Sequence, residues 1–175
     1  MTRCLSIALT LSVGCAVALA QNNASQNPFS ADAKQSYTGI KNTLLKAADK
    51  MPEENYSFRT VQQVRTYGEM VGHVADIQMV LCGLVKGEQA KPVSTGKTSK
   101  ADLIAALKQS FDYCDAVYDS MTDTAAATKV TMFGRQLTKL GVLNFNVSHD
   151  NEMYGTMVAY LRIKGIVPPS SEGRP

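Results

Sequence analysis

The sequence predicts an all-α fold, a four-helix bundle. Four separate stretches, each of about twenty residues or more, repeat apolar side chains at three and four residues, which is the helical period. No stretch alternates apolar and polar residues credibly enough to be a strand. Helix stops fall in the expected order, most clearly Gly165 followed by Pro168 and Pro169 at the end of the last stretch.

The chain has 175 residues, enough for one domain with a real core. Residues 1–20 are expected to lie outside it. Arg3 gives a short positive start, Cys4 to Ala20 is an almost unbroken apolar or small run, and Ala18-Leu19-Ala20 is a small-x-small cleavage site. That pattern is a secretory signal peptide. The run sits near the lower limit for a membrane span and lacks a stop-transfer flank, so a stable membrane anchor is not expected. The chain is therefore expected to be secreted or periplasmic.

Residues 21–29, polar and rich in Asn and Gln, read as a disordered lead-in. Ser30 is placed to cap a first helix over 31–50, with Tyr37, Ile40, Leu44, Ala47 and Met51 on its apolar face and Pro52 ending it. Thr60 is placed to cap a second helix over 61–85, striped by Tyr67, Met70, Val74, Ile77, Leu81 and Leu84. Residues 86–97 form a loop that is long for a tight antiparallel turn and suits a crossover between parallel helices. Its Thr95-Gly96-Lys97-Thr98 string is no phosphate loop, because Lys91 stands where the motif needs Gly and a helix precedes it.

Ser99 and Asp102 open a third helix as cap and first-turn acid, and Leu103, Leu107, Phe111, Cys114, Tyr118 and Met121 make its core face. Residues 122–134 read as a loop. A fourth helix is expected over 136–164. It holds Gly141 and Gly155, each costing ~1 kcal/mol against Ala, which points to close helix approach or backbone access to a site. The bundle is thus expected over 30–167, with a C-terminal tail at 168–175.

Lys+Arg number 18 and Asp+Glu 15, a net charge of +3. Removing residues 1–20, whose one charged residue is Arg3, lowers it to +2. Such an even balance argues against a nucleic-acid partner. Two cysteines remain after the leader, Cys82 and Cys114. In an exported chain an even count predicts a disulfide, here joining the second and third helices. Two free core cysteines are the alternative.

The fourth helix carries the most informative wording, HDNEMYG at 149–155 and YLRIKGIVPPSS at 160–171. A second segment, EMVGHVADIQ at 69–78, lies on the second helix, and MPEENYSFR at 51–59 connects the first two. Together these resemble the DinB-like superfamily, in its exported members: damage-inducible four-helix bundles that often hold a divalent metal. The resemblance implies an up-down-down-up arrangement, and pairing as a homodimer is an expectation from the same source. It also implies a site between the second and fourth helices, with one His on the second and two, four residues apart, on the fourth. His73 and His149 match the first two positions. The third is Met153.

These are the only two histidines in the chain. Imidazole is a favoured ligand for zinc and related metals, and residues four apart on a helix can meet at one point. A thioether is soft, poor for zinc or nickel and better suited to Cu(I). Asp150, Glu152, Glu69 and Asp76 lie within a turn of a His; Asp150 is the best placed to replace the missing ligand. Two readings follow. The pocket lined by His73, His149, Asp150 and Met153 serves a metal-dependent enzyme of hydrolase or thiol-transferase type, with zinc or nickel ahead of copper and Asp150 completing the site or acting as base. Alternatively it is a metal-free binding or structural module with a small-molecule ligand. Export counts against a low-molecular-weight thiol cofactor, and no catalytic residue is assigned. Tyr154, Tyr160 and Arg162 are read as structural.

Overall fold

The computed structural model describes residues 26–173; the expected leader and residues 21–25 lie outside them. Four long helices dominate: α1 (Pro28–Lys50), α2 (Tyr67–Lys86), α3 (Lys100–Ser120) and α4 (Lys139–Ile163). A single helical turn, Asp123–Ala126, and a hairpin of β1 (Lys129–Met132) and β2 (Arg135–Thr138) join α3 to α4. The strands pair antiparallel, with Lys129 opposite Thr138 and Met132 opposite Arg135.

α1 and α2 each pack against both α3 and α4. Named contacts give the directions. Lys34 pairs with Asp119, and Lys100 Nζ donates to the Asp49 carbonyl, so α1 and α3 run opposite ways. Gly68 lies against Leu103 and Cys82 is bonded to Cys114, so α2 and α3 run the same way. Tyr160 reaches the Arg65 carbonyl while Asn146 reaches Gln78, so α2 and α4 are antiparallel.

One continuous core fills the centre. Leu44, Val74, Leu81, Leu107, Phe111, Leu143, Met157 and Leu161 are fully buried in it, each stabilising by roughly 1.5–3 kcal/mol as area removed from water. Tyr37 stacks on Tyr118 at 3.9 Å. α2 is apolar enough to pass for a membrane span, but its apolar surface is mostly buried inside the bundle. The predicted disulfide between Cys82 and Cys114 is present, with Cα atoms 5.5 Å apart.

Several expected boundaries are corrected. The first helix begins at Pro28, so the end of the expected lead-in is helical. Ser30 does not cap it. Asp123, far along the chain, accepts from the Phe29 and Ser30 N–H groups, and Asn27 accepts in return from the Asp123 N–H. α2 starts at Tyr67 instead of Val61: Thr66 caps it, in a capping box with Glu69. The expected loop 122–134 contains the helical turn and most of the hairpin, so the chain is not free of strand, and β2 delays the fourth helix to Lys139. Thr138 ends β2 and caps α4 through the Gly141 N–H. The expected tail is partly docked: Pro169–Ser171 forms a 3-10 turn, and Tyr154 Oη donates to Ser170 Oγ while accepting from the Ser170 N–H.

Candidate functional site

α2 and α4 bring His73 and His149 together, both half-buried. Their Nε2 atoms are 3.2 Å apart, with ring planes inclined at 64°. Without an ion this is an N–H···N hydrogen bond, one Nε2 donating and the other accepting. It is also close to the ~3.3 Å expected when two nitrogens each sit ~2.0 Å from one tetrahedral ion. Burial, with smaller effects from Arg65 and His149, pushes the His73 imidazole below its ordinary value. That favours the neutral ring, the form that ligates.

Behind the pair lies a buried polar cluster. Gln78 Nε2 donates to Asp150 Oδ2, and Gln78 Oε1 accepts from Asn146 Nδ2 at 2.8 Å. Asn146 also reaches Tyr118 Oη at 3.3 Å. Asp150 and Asn146 are fully buried, as their place on the core arc of the fourth helix demands. Asp150 Oδ1, Asn146 Oδ1 and His149 Nδ1 have no hydrogen-bond partner among the described residues. Asp150 Oδ1 and His149 Nδ1 stand 3.9 Å apart, too far for a hydrogen bond. Burial raises the Asp150 carboxyl to about 6, against the smaller opposing effects of His149 and Gln78.

The resemblance implies a divalent centre at this pair. Two nitrogens converge as such a centre requires. The hard ligands that could complete it are engaged elsewhere. Glu69 accepts from the Thr66 N–H in the capping box. Asp76 accepts from the Val93 and Ser94 N–H groups and from Ser94 Oγ, holding the α2–α3 loop. Asp150 points to Gln78, and Glu152 is exposed. Among the described residues no group of three or more His, Cys, Asp and Glu side chains could hold an ion. The donor set therefore does not fit a tight zinc or nickel centre.

Two clefts lie along α2, and one of them reaches His73. One, of about 420 Å³, is lined by His73 with Ser57, Glu69, Asp76, Ser94, Lys97 and Thr98. The other, of about 690 Å³, is lined by Arg65, Glu69, Met70, Met153, Thr156 and Tyr160 among others. Met153 thus opens on a different cleft from His73. The sequence reading missed Gln78, Met70 and the loop residues Ser94 and Lys97. Gln78 left a signal, being a polar residue on the apolar side of the second helix. The loop residues left none. Tyr160 Oη donates to the Arg65 carbonyl and Arg162 pairs with Ser171, and with the Tyr154–Ser170 pair these match the structural reading of all three.

Fold and site together define a helical bundle with a histidine pair between its second and fourth helices. A family model described as the DinB superfamily matches residues 37–157. The chain belongs to the DinB superfamily. Similar solved structures include a DinB-like protein from Bacillus cereus ATCC 10987, with a TM-score of 0.69, 20% identity and coverage of 77% of this chain and 92% of that one. A DinB-like protein from Bacillus subtilis gives a TM-score of 0.65 at 20% identity, with the same coverage. A mycothiol-dependent maleylpyruvate isomerase gives 0.59 at 13% identity, covering 74% of this chain and 59% of that one. At such identities the likeness is one of fold. Among curated proteins none matches the sequence.

Proposed function

We propose that this is an exported DinB-like protein whose α2–α4 pocket binds a small molecule. The pocket resembles a divalent-metal site of hydrolase or thiol-transferase type in which Met153 stands at the third histidine position. One observation carries this: Met153 takes the third position, Glu69 and Asp76 are held by other partners, and Asp150 turns Oδ2 to Gln78 with its unpartnered Oδ1 3.9 Å from Nδ1 of His149, not at the Nε2 pair. Two imidazoles alone leave a divalent ion with too few protein bonds to be retained. The leader expected at 1–20 and the disulfide support the placement outside the cytoplasm.

A second reading keeps the metal and the chemistry. The 3.2 Å approach of the two nitrogens favours it, as does a neighbour of the same fold that is a thiol-dependent isomerase. A metal would polarise a substrate carbonyl or lower the pKa of a bound thiol or water, and His73 and His149 would hold it.

Metal content measured by mass spectrometry decides between them, on protein exported natively and purified without chelator or His-tag. The expected result is no stoichiometric zinc or nickel. A stoichiometric metal lost on His149→Ala overturns the binding reading. Met153→His should raise zinc and nickel affinity by roughly tenfold or more, as a restored ligand would. No gain would refute the reading of Met153 as the residue standing at the third ligand position.

A further inference from the structure

The hairpin takes no part in the histidine pair, and one of its edges is open. The register sets Met132 opposite Arg135 and Val130 opposite Leu137, and the Lys139 N–H bonds the Thr128 carbonyl. Hydrogen-bonded pairs alternate along an antiparallel ladder, so Thr128, Val130 and Met132 turn their backbone groups toward β2. Lys129 and Thr131 turn theirs the other way. Among the described residues, their N–H groups have no backbone partner outside the hairpin.

That edge adjoins an apolar cleft of about 280 Å³. Val80 and Leu84 of α2, Ala90 of the following loop, and Thr131, Met132 and Phe133 line it. No residue of β2 does, so the cleft lies on the unpaired side of β1. It is smaller than the ~300–1,000 Å³ of an ordinary small-molecule pocket and suits one large side chain. Phe133 is 71% exposed and takes φ 49°, a backbone conformation unfavourable for a bulky residue. Turn chemistry alone would place Asn or Gly there; the ring instead gives the cleft an aromatic wall.

The charges select the occupant. Glu88, the one carboxylate in the cleft, is held by Lys86 and by Tyr113 Oη. Lys91 beside Ala90, Lys129 on the edge and Arg135 at the turn make no ion pair among the described residues. A basic rim around an apolar slot complements an apolar residue flanked by acidic ones. A lysine on the edge also works against a second copy's β1, which would bring the same cations with it. Open main-chain groups beside a side-chain slot match strand addition, where the backbone gives affinity and the slot specificity.

We propose that the outer edge of β1 binds an extended acidic peptide segment of a partner protein. The segment pairs with the backbone of Lys129 and Thr131, sets an apolar side chain beside Val80, Leu84 and Phe133, and holds its acidic residues against Lys129 and Arg135. The site is independent of the α2–α4 pocket, and neither reading of that pocket bears on it.

The test is fluorescence anisotropy of the full exported protein with short labelled peptides. Each carries a central Leu, Ile, Phe or Met, flanked either by Asp and Glu or by Lys and Arg. The acidic set is expected to bind and the basic set to bind at least roughly tenfold more weakly. Methylating alternate amide nitrogens of an acidic peptide should abolish binding in one phase and spare it in the other, because only every second residue faces β1. Val80→Lys and Phe133→Asn should each weaken binding by roughly tenfold or more, as loss of an interface anchor does. Phe133→Asn suits the turn, and a thermal melt shows that its loss of binding is not a loss of fold. The proposal is overturned if no acidic peptide binds, if both methylation phases are tolerated alike, or if folded Phe133→Asn binds undiminished. Dimerisation without peptide that Phe133→Asn abolishes would assign the edge to a second copy and overturn it too.

Discussion

Asp150 is a carboxyl group held in the core. Its side chain is wholly buried and one carboxylate oxygen has no partner among the described residues. Burial lifts its pKa from 3.8 to about 6, so the folded chain holds this proton more tightly than the unfolded chain does. The stabilisation is fully present below about pH 4 and is lost as the pH rises through about 6, a change on the order of 3 kcal/mol. Asp150→Asn keeps the shape and removes the titration. Denaturant melts of both proteins should therefore show Asp150→Asn gaining on the natural sequence by about 2–3 kcal/mol between pH 4 and pH 7. A gap that stays constant with pH would refute the assignment. That Asp150 is buried was legible, because Val142, Asn146, His149, Asp150, Met153, Met157 and Tyr160 recur at three and four residues on one mostly apolar arc of the fourth helix. Its partner was not: Gln78 is 72 residues away, and no local pattern states which polar group a buried carboxylate meets.

Element boundaries show how tertiary contacts choose among local signals. Thr60 with Gln63 and Thr66 with Glu69 both spell a capping box six residues apart. The protein uses the second. The Tyr67 N–H bonds the Phe58 carbonyl and the Gly68 N–H bonds the Tyr56 carbonyl, which pins the connection to the first turn of α2. Thr66→Ala should cost ~1 kcal/mol in a thermal or urea melt, and Thr60→Ala close to nothing. The hairpin was missed for a different reason. Its turn is Phe133-Gly134, not the Asn-Gly or Asp-Gly that announces a two-residue loop. Phe133 takes φ 49° with its side chain 71% exposed. A bulky residue there is strained by ~1 kcal/mol, so Phe133→Asn should raise the melting temperature. A fall in stability would mean that the ring makes contacts worth more than the strain.

At the scale of the molecule, helix number and core faces followed from periodicity, because a single 3.6-residue signal repeated four times leaves few other architectures. The helix-to-helix staple was legible from two cysteines and the expectation of export. The Cys82–Cys114 bridge spans 32 residues, and in the chain-entropy account its removal should cost roughly 3–4 kcal/mol. Thiol titration of the unfolded, unreduced protein should find no free thiol; two would refute the bridge. The ends of the described chain have a consequence of their own. α1 starts beside Asp123, while Glu172 pairs with Lys50 at the other end of α1. A helix of 23 residues is about 34 Å long, so the two termini leave from opposite poles. Both clefts border Glu69 near the start of α2, on the C-terminal pole. Fixed to a surface through the chain preceding residue 26, the protein would stand upright with its clefts facing outward; fixed by its C-terminus, it would turn them toward the support.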